Sequence, residues 1–163
     1  MKQLILMRHA QAEKNAPSGE DFDRPLSAAG RQEATIVAKA LEADGLKPDF
    51  AIVSAALRTQ QTFEQVRAVL GAIPSIVDKA FYNAGADTLR RLVERHEDNG
   101  TCVLVINHNP GIQYLCTDYM IESAASLSAI DKVRNGFATA TAAVFEVDVA
   151  GRPVYDGLYT AGR

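Results

Sequence analysis

Three stretches of the chain, Leu4 to Met7, Phe50 to Val53 and Cys102 to Ile106, are apolar without interruption. A strand with one wet face alternates apolar and polar residues, so an unbroken apolar run of strand length needs cover on both faces. A parallel sheet with helices packed above and below supplies that cover. The segments between the runs fit this demand. Ser27 caps a helix whose apolar positions Ala34, Val37, Ala38 and Leu41 share one face, and Gly45 and Pro48 stop it. A second helix runs to about Leu70, with Phe63, Val66, Val69 and Leu70 inward and Gly71 near its end. Ser75 to Val77 reads as a short strand, Asp87 to about Arg95 as a helix carrying Leu89, Leu92 and Val93, and Pro110 as the first turn of a helix through Tyr114 and Leu115. Ala138 to Val147 and Pro153 to Tyr159 read as two strands joined by a hairpin at Ala150-Gly151. The expectation is one α/β domain over residues 1–163, three layers αβα around a mostly parallel central sheet.

Composition narrows the function classes. With 163 residues, 47% of them hydrophobic, the chain can bury a core without staples. Cys102 and Cys116 form no CxxC pair and read as reduced core thiols. A net charge of −3 argues against a surface built for nucleic acid or an anionic membrane, so any phosphate chemistry needs local positive charge. The apolar N-terminal run ends at Arg8-His9, too short for a signal segment or a membrane span, and the expected compartment is the cytoplasm. No GxGxxG or GxxxxGK[ST] follows a strand, which speaks against a nucleotide cofactor. His9, His96 and His108 lack metal-ligand spacing, so neither metal nor cofactor is expected, and the chain is expected to be a monomer.

His9 and His108 each stand just past the end of an apolar run, and Ser54 and Arg58 follow a third. In open α/β sheets ligands bind at the carboxyl ends of the strands. Arg8, His9, Arg58 and His108 are thereby aimed at one edge of the sheet, and two guanidinium groups with two imidazoles suit a phosphate.

The residues also carry a resemblance. Leu6-Met7-Arg8-His9-Ala10 resembles the Arg-His-Gly signature of the histidine phosphatase superfamily, and Arg24-Pro25-Leu26-Ser27-Ala28-Ala29-Gly30 resembles the segment opening its first helix. Ser54-Ala55-Ala56-Leu57-Arg58-Thr59-Gln60-Gln61-Thr62 is similar to its Ser-Pro-x-x-Arg-Ala-x-Gln-Thr pattern, and Val105-Ile106-Asn107-His108-Asn109-Pro110-Gly111 to its second histidine motif. The motifs run in order, and the Ala-Val-Phe-Glu-Val strand near residues 143–147 extends the match. The short length, the Arg-Pro-Leu segment and the His-Asn-Pro-Gly form resemble the SixA-like branch of small phosphohistidine phosphatases. What the resemblance implies is a phosphoglycerate-mutase-like fold and a metal-independent phosphatase. His9 would attack phosphorus and be transiently phosphorylated, while Arg8, Arg58 and His108 hold the nonbridging oxygens. The implied substrate is a phosphomonoester or phosphoramidate, foremost a phosphohistidine on a histidine phosphotransfer signalling protein.

Several positions stay open. Members of the superfamily often carry a Glu after the third strand, but Phe81-Tyr82-Asn83-Ala84-Gly85-Ala86-Asp87 has none. Asp87 reads as an acid or as a helix N-cap, and Asp21 and Asp23 as acids or as solvated loop charges. Without an acid, the balance leans toward phosphohistidine, which departs readily once its other ring nitrogen is protonated. Arg24 reads as a pocket residue or as an ion pair with Asp21 or Asp23, and Asn15 as a phosphate-binding Asn of the mutase type. Ala10 replaces the signature glycine and is tolerable only at negative φ. Tyr114 and Tyr119 read as pocket-lining residues or as core packing, and His96 as a helix-end residue. The competing functions are a phosphatase or mutase for a small phosphorylated metabolite, and a phosphate-recognition module without turnover.

Overall fold

The computed structural model describes residues 1–162. Six strands form one sheet in the order β3 (Ser75–Asp78), β2 (Phe50–Ser54), β4 (Cys102–Asn107), β1 (Gln3–Arg8), β5 (Ala142–Val147), β6 (Pro153–Tyr159). The first four are parallel, and β5 and β6 add an antiparallel edge. The helices are α1 (Ala28–Ala43), α2 (Leu57–Leu70), α3 (Ala86–Arg95), α4 (Gly111–Glu122) and α5 (Leu127–Asn135).

The unbroken apolar runs are explained by a core on each face. Leu4 and Leu6 of β1, with Val103 and Val105 of β4, pack among Leu89, Ile112, Leu115 and Val133 of α3, α4 and α5. Their alternates Ile5, Met7, Leu104 and Ile106 pack among Ala34, Val37, Phe63 and Val66 of α1 and α2. Side chains alternate across a strand, so every residue of a central strand meets a helix layer.

The chain runs outward from β1 to β2 and β3, then returns to insert β4 between β2 and β1. This reversal sets two distant segments side by side: Arg8 pairs in register with Asn107, and His9 and His108 follow directly. Three differences from the sequence reading stand out. Ala138 to Thr141 is not strand: Ala140 sits at φ 61, and β5 starts at Ala142. Pro110 is the N-cap of α4 rather than a residue of its first turn. Helix α5 was not anticipated; only Ile130 and Val133 of its residues are buried, too few to make a visible stripe.

Candidate active site

β1 delivers Arg8 and His9, β4 delivers His108, and the first turn of α2 delivers Arg58, so the four predicted cluster residues converge on one edge of the sheet. The rings of His9 and His108 lie 5.2 Å apart between centroids. His9 is 7% exposed, Arg58 6% and His108 8%. Ala10 is fully buried and is not among the residues at positive φ, so its methyl is accommodated.

Each ring is oriented by a specific bond. His9 Nδ1 contacts the Ala10 carbonyl at 2.7 Å, which makes Nδ1 the protonated nitrogen and leaves Nε2 its lone pair. The Ala10 peptide is itself pinned: its N–H donates to Thr62 Oγ1, whose hydroxyl donates to the Arg58 carbonyl. His108 Nε2 meets Ser54 Oγ at 2.8 Å, while its buried Nδ1 has no protein partner. Arg8 Nη1 and Asn109 Nδ2 both donate to the Phe137 carbonyl, tying β1 to the segment before β5. The Nε atoms of Arg8 and Arg58 are buried without a partner. Buried donors without a protein partner at one sheet edge suit an oxyanion as their acceptor.

Burial and charge act together on the histidines. Burial pushes His9 down to about 3, against its bond to the Ala10 carbonyl, and Arg58, Arg8 and Arg24 push the same way. Burial likewise takes His108 down to about 3, with His9 and Arg58 adding to it and Asp21 opposing. Both rings are neutral at pH 7.

Asp21 lies on the short 3-10 turn Asp21–Asp23 and is turned toward Arg58, which donates to its carbonyl at 2.8 Å and to Oδ2 at 3.1 Å. Arg24 Nε donates to Oδ1 at 2.9 Å, and the Tyr82 hydroxyl donates to Oδ2. Led by the Tyr82 hydrogen bond, these partners hold Asp21 down to about 2, so it is ionised at neutral pH. Tyr82 packs edge-on against both His108 and Phe22.

A cavity of about 430 Å³ opens beside His108, lined by Asp21, Arg58, Tyr82, Asn109 and Tyr114 among others. A larger depression of about 810 Å³ lies on the Arg8 side, floored by Gln113, Lys132, Phe137 and Thr141. Gly111 permits the narrow wall of the first cavity: a Cβ there would stand 2.3 Å from the Ala84 carbonyl oxygen.

The remaining predicted positions divide. Arg24 is tied to Asp21 and to the Glu13 carbonyl, the ion pair that was one of its two readings. Asn15 is exposed and lines a depression with Lys14, Gly19, Arg24 and Asp21, on whose rim neither histidine of the pair stands. Asp23 accepts from Ser18 within its loop. Asp87 is exposed in the first turn of α3, whose N-cap is Gly85, so the cap reading does not hold, and Asp87 does not line the cavity. Tyr119 is buried, but Tyr114 is 59% exposed at the cavity rim rather than packed in the core. Tyr82 and Glu33 were missed. Glu33 is 4% exposed and accepts from the Gln11 N–H and the Thr139 hydroxyl, joining the loop after β1 to the segment before β5. A carboxylate beside Ala34 on the inner stripe of α1 was its only signal.

Comparison with known proteins agrees with this geometry. Residues 4–84 match the family model described as histidine phosphatase superfamily, branch 1. SixA from Agrobacterium tumefaciens, a provisionally assigned phosphohistidine phosphatase, superimposes with a TM-score of 0.82 at 26% identity over 96% of each chain. The protein histidine phosphatase SixA in complex with tungstate gives 0.79 at 25% identity, over 98% of this chain and 97% of that one. An uncharacterised protein of Mycobacterium tuberculosis is 29% identical over 86% of this chain and 87% of its own length. An uncharacterised chloroplast protein of Arabidopsis thaliana is 29% identical over 68% of this chain, and the match spans 55% of that longer protein.

Proposed function

Since the chain belongs to the histidine phosphatase superfamily, we propose that it is a metal-independent phosphatase that forms a phosphohistidine intermediate on His9. Its substrate in this reading is a phosphohistidine carried by another protein, such as a histidine phosphotransfer domain. The bond from His9 Nδ1 to the Ala10 carbonyl carries the proposal. A nucleophile at phosphorus needs a lone pair, and that bond together with burial reserves one on Nε2 at any pH near neutrality.

In the first step Nε2 attacks phosphorus and the bond to the leaving atom breaks, its electron pair departing with the leaving group. Arg8 and Arg58 neutralise the charge on the transferred group, and a proton on His108 Nδ1, with Nε2 accepting from Ser54, supplies a further donor. Water then attacks the phosphorylated His9, the pair returns to Nε2, and inorganic phosphate leaves. The protein-substrate part of the reading is supported by the likeness to SixA and by the exposed Tyr114 at the rim.

The test is covalent trapping. The protein is incubated with p-nitrophenyl phosphate, quenched in base and digested, and a phosphoryl adduct is sought on the peptide carrying His9. His9→Asn should show neither adduct nor turnover. An inert native protein, or a His9→Asn variant with native turnover, refutes the proposal.

A further inference from the structure

Beside the histidine pair stands a carboxylate where a site for anionic substrates has reason to avoid one. Asp21 shares the Arg58 guanidinium with the expected phosphoryl group, and its side chain is 55% exposed and lines the cavity. Two like charges on one arginine repel unless a cation accompanies the substrate. Asp21 is also ill suited to be an acid, because its three donors keep it ionised. Its acceptor capacity is not exhausted: Oδ2 takes Arg58 and Tyr82, while Oδ1 takes Arg24 alone. The cavity it borders has aromatic walls in Tyr82 and Tyr114, suited to a flat ring rather than a flexible alcohol.

We propose that Asp21, positioned by Tyr82, is the specificity-determining residue of the site and accepts a hydrogen bond from the protonated distal nitrogen of a leaving imidazole ring. The inference rests on the phosphatase reading above and adds to it how the leaving group is recognised. With that nitrogen protonated, breaking the P–N bond leaves its electron pair on the proximal nitrogen, and the ring departs as neutral imidazole. Phosphorus passes to His9 Nε2. Asp21 takes no proton and needs none, since it only keeps the distal N–H in place. An alkyl phosphate offers no such N–H and would need a proton that nothing in the cavity is set to give. Tyr82 acts through Asp21: its hydroxyl and its packing against His108 and Phe22 fix where the carboxylate points.

The experiment compares kcat/KM for N-phosphoimidazole and p-nitrophenyl phosphate in the native protein, Asp21→Asn and Tyr82→Phe. Asp21→Asn should lose about tenfold or more on N-phosphoimidazole, the worth of one charge-assisted hydrogen bond. On p-nitrophenyl phosphate it should gain, because the competing anion is gone. The alkaline limb of the N-phosphoimidazole profile should move to lower pH in Asp21→Asn, since the carboxylate no longer sustains the ring's proton. Tyr82→Phe, which removes one oxygen, should move selectivity in the same direction by a smaller factor. Equal losses on both substrates would reduce Asp21 to a support for Arg58, and a greater loss on p-nitrophenyl phosphate would make it an acid. Either result overturns the inference. A native protein inert toward both substrates instead overturns the phosphatase reading beneath it.

Discussion

Acid should unfold this protein through two identifiable side chains. His9 and His108 have an ordinary value of 6.5 and are each held at about 3 in the folded chain. Between those limits the unfolded state binds protons that the folded state refuses, so stability is full above about pH 6.5 and falls as pH drops toward 3. One pKa unit corresponds to about 1.4 kcal/mol. Going from about pH 6 to about pH 4.5, each histidine should remove about 2 kcal/mol and the pair about 4 kcal/mol. Asp21, held at about 2, does not titrate in that interval. Urea unfolding in buffers free of phosphate and sulfate measures the loss directly. His9→Asn and His108→Gln should each lose about half as much as the native protein over the same interval, and the double variant little. If either single variant loses as much as the native chain, the acid sensitivity lies elsewhere and the two rings are not held neutral by burial.

Three further outcomes follow from the geometry. Arg58→Ala should lower kcat/KM on an aryl phosphate by about 10²–10³, the usual loss on removing one preorganised donor, with Arg58→Lys failing to restore it because the fork is lost. Gly111→Ala should destabilise by about 1–3 kcal/mol, as a Cβ driven into a backbone carbonyl must displace it, and thermal melting reads this as a lowered Tm. Exhaustive dialysis against EDTA should leave turnover unchanged, and a loss restored by a divalent cation would contradict the metal-free route.

What could be read in the sequence follows from which interactions are local. β1, β2 and β4 were legible because burial on both faces forces unbroken apolar runs, and their ends named Arg8, His9, Arg58 and His108. Helix α5 was not legible: Leu127 is 80% exposed, and the helix rests on two buried residues. The strand start at Ala142 is hidden because the left-handed turn at Ala140 falls on a residue type that does not advertise it. Tyr82 escaped because its partners, Asp21 and His108, reach it from distant parts of the chain. Asp21 was visible as a candidate, yet its meaning depends on three donors that no spacing reveals.

The contact that sets the protonation of His9 is made to the main chain of its own neighbour. A substitution replaces side chains and leaves carbonyls standing, so the tautomer of the proposed nucleophile is shielded from nearly every point mutation around it. Evolution, or a protein engineer, can reshape the entrance through Asp21, Tyr82 and Tyr114 without disturbing that setting. The vulnerable lever is Thr62, a fully buried side chain whose hydroxyl pins the Ala10 peptide. A fold with this division can diversify what enters the cavity while inheriting the proposed nucleophile intact.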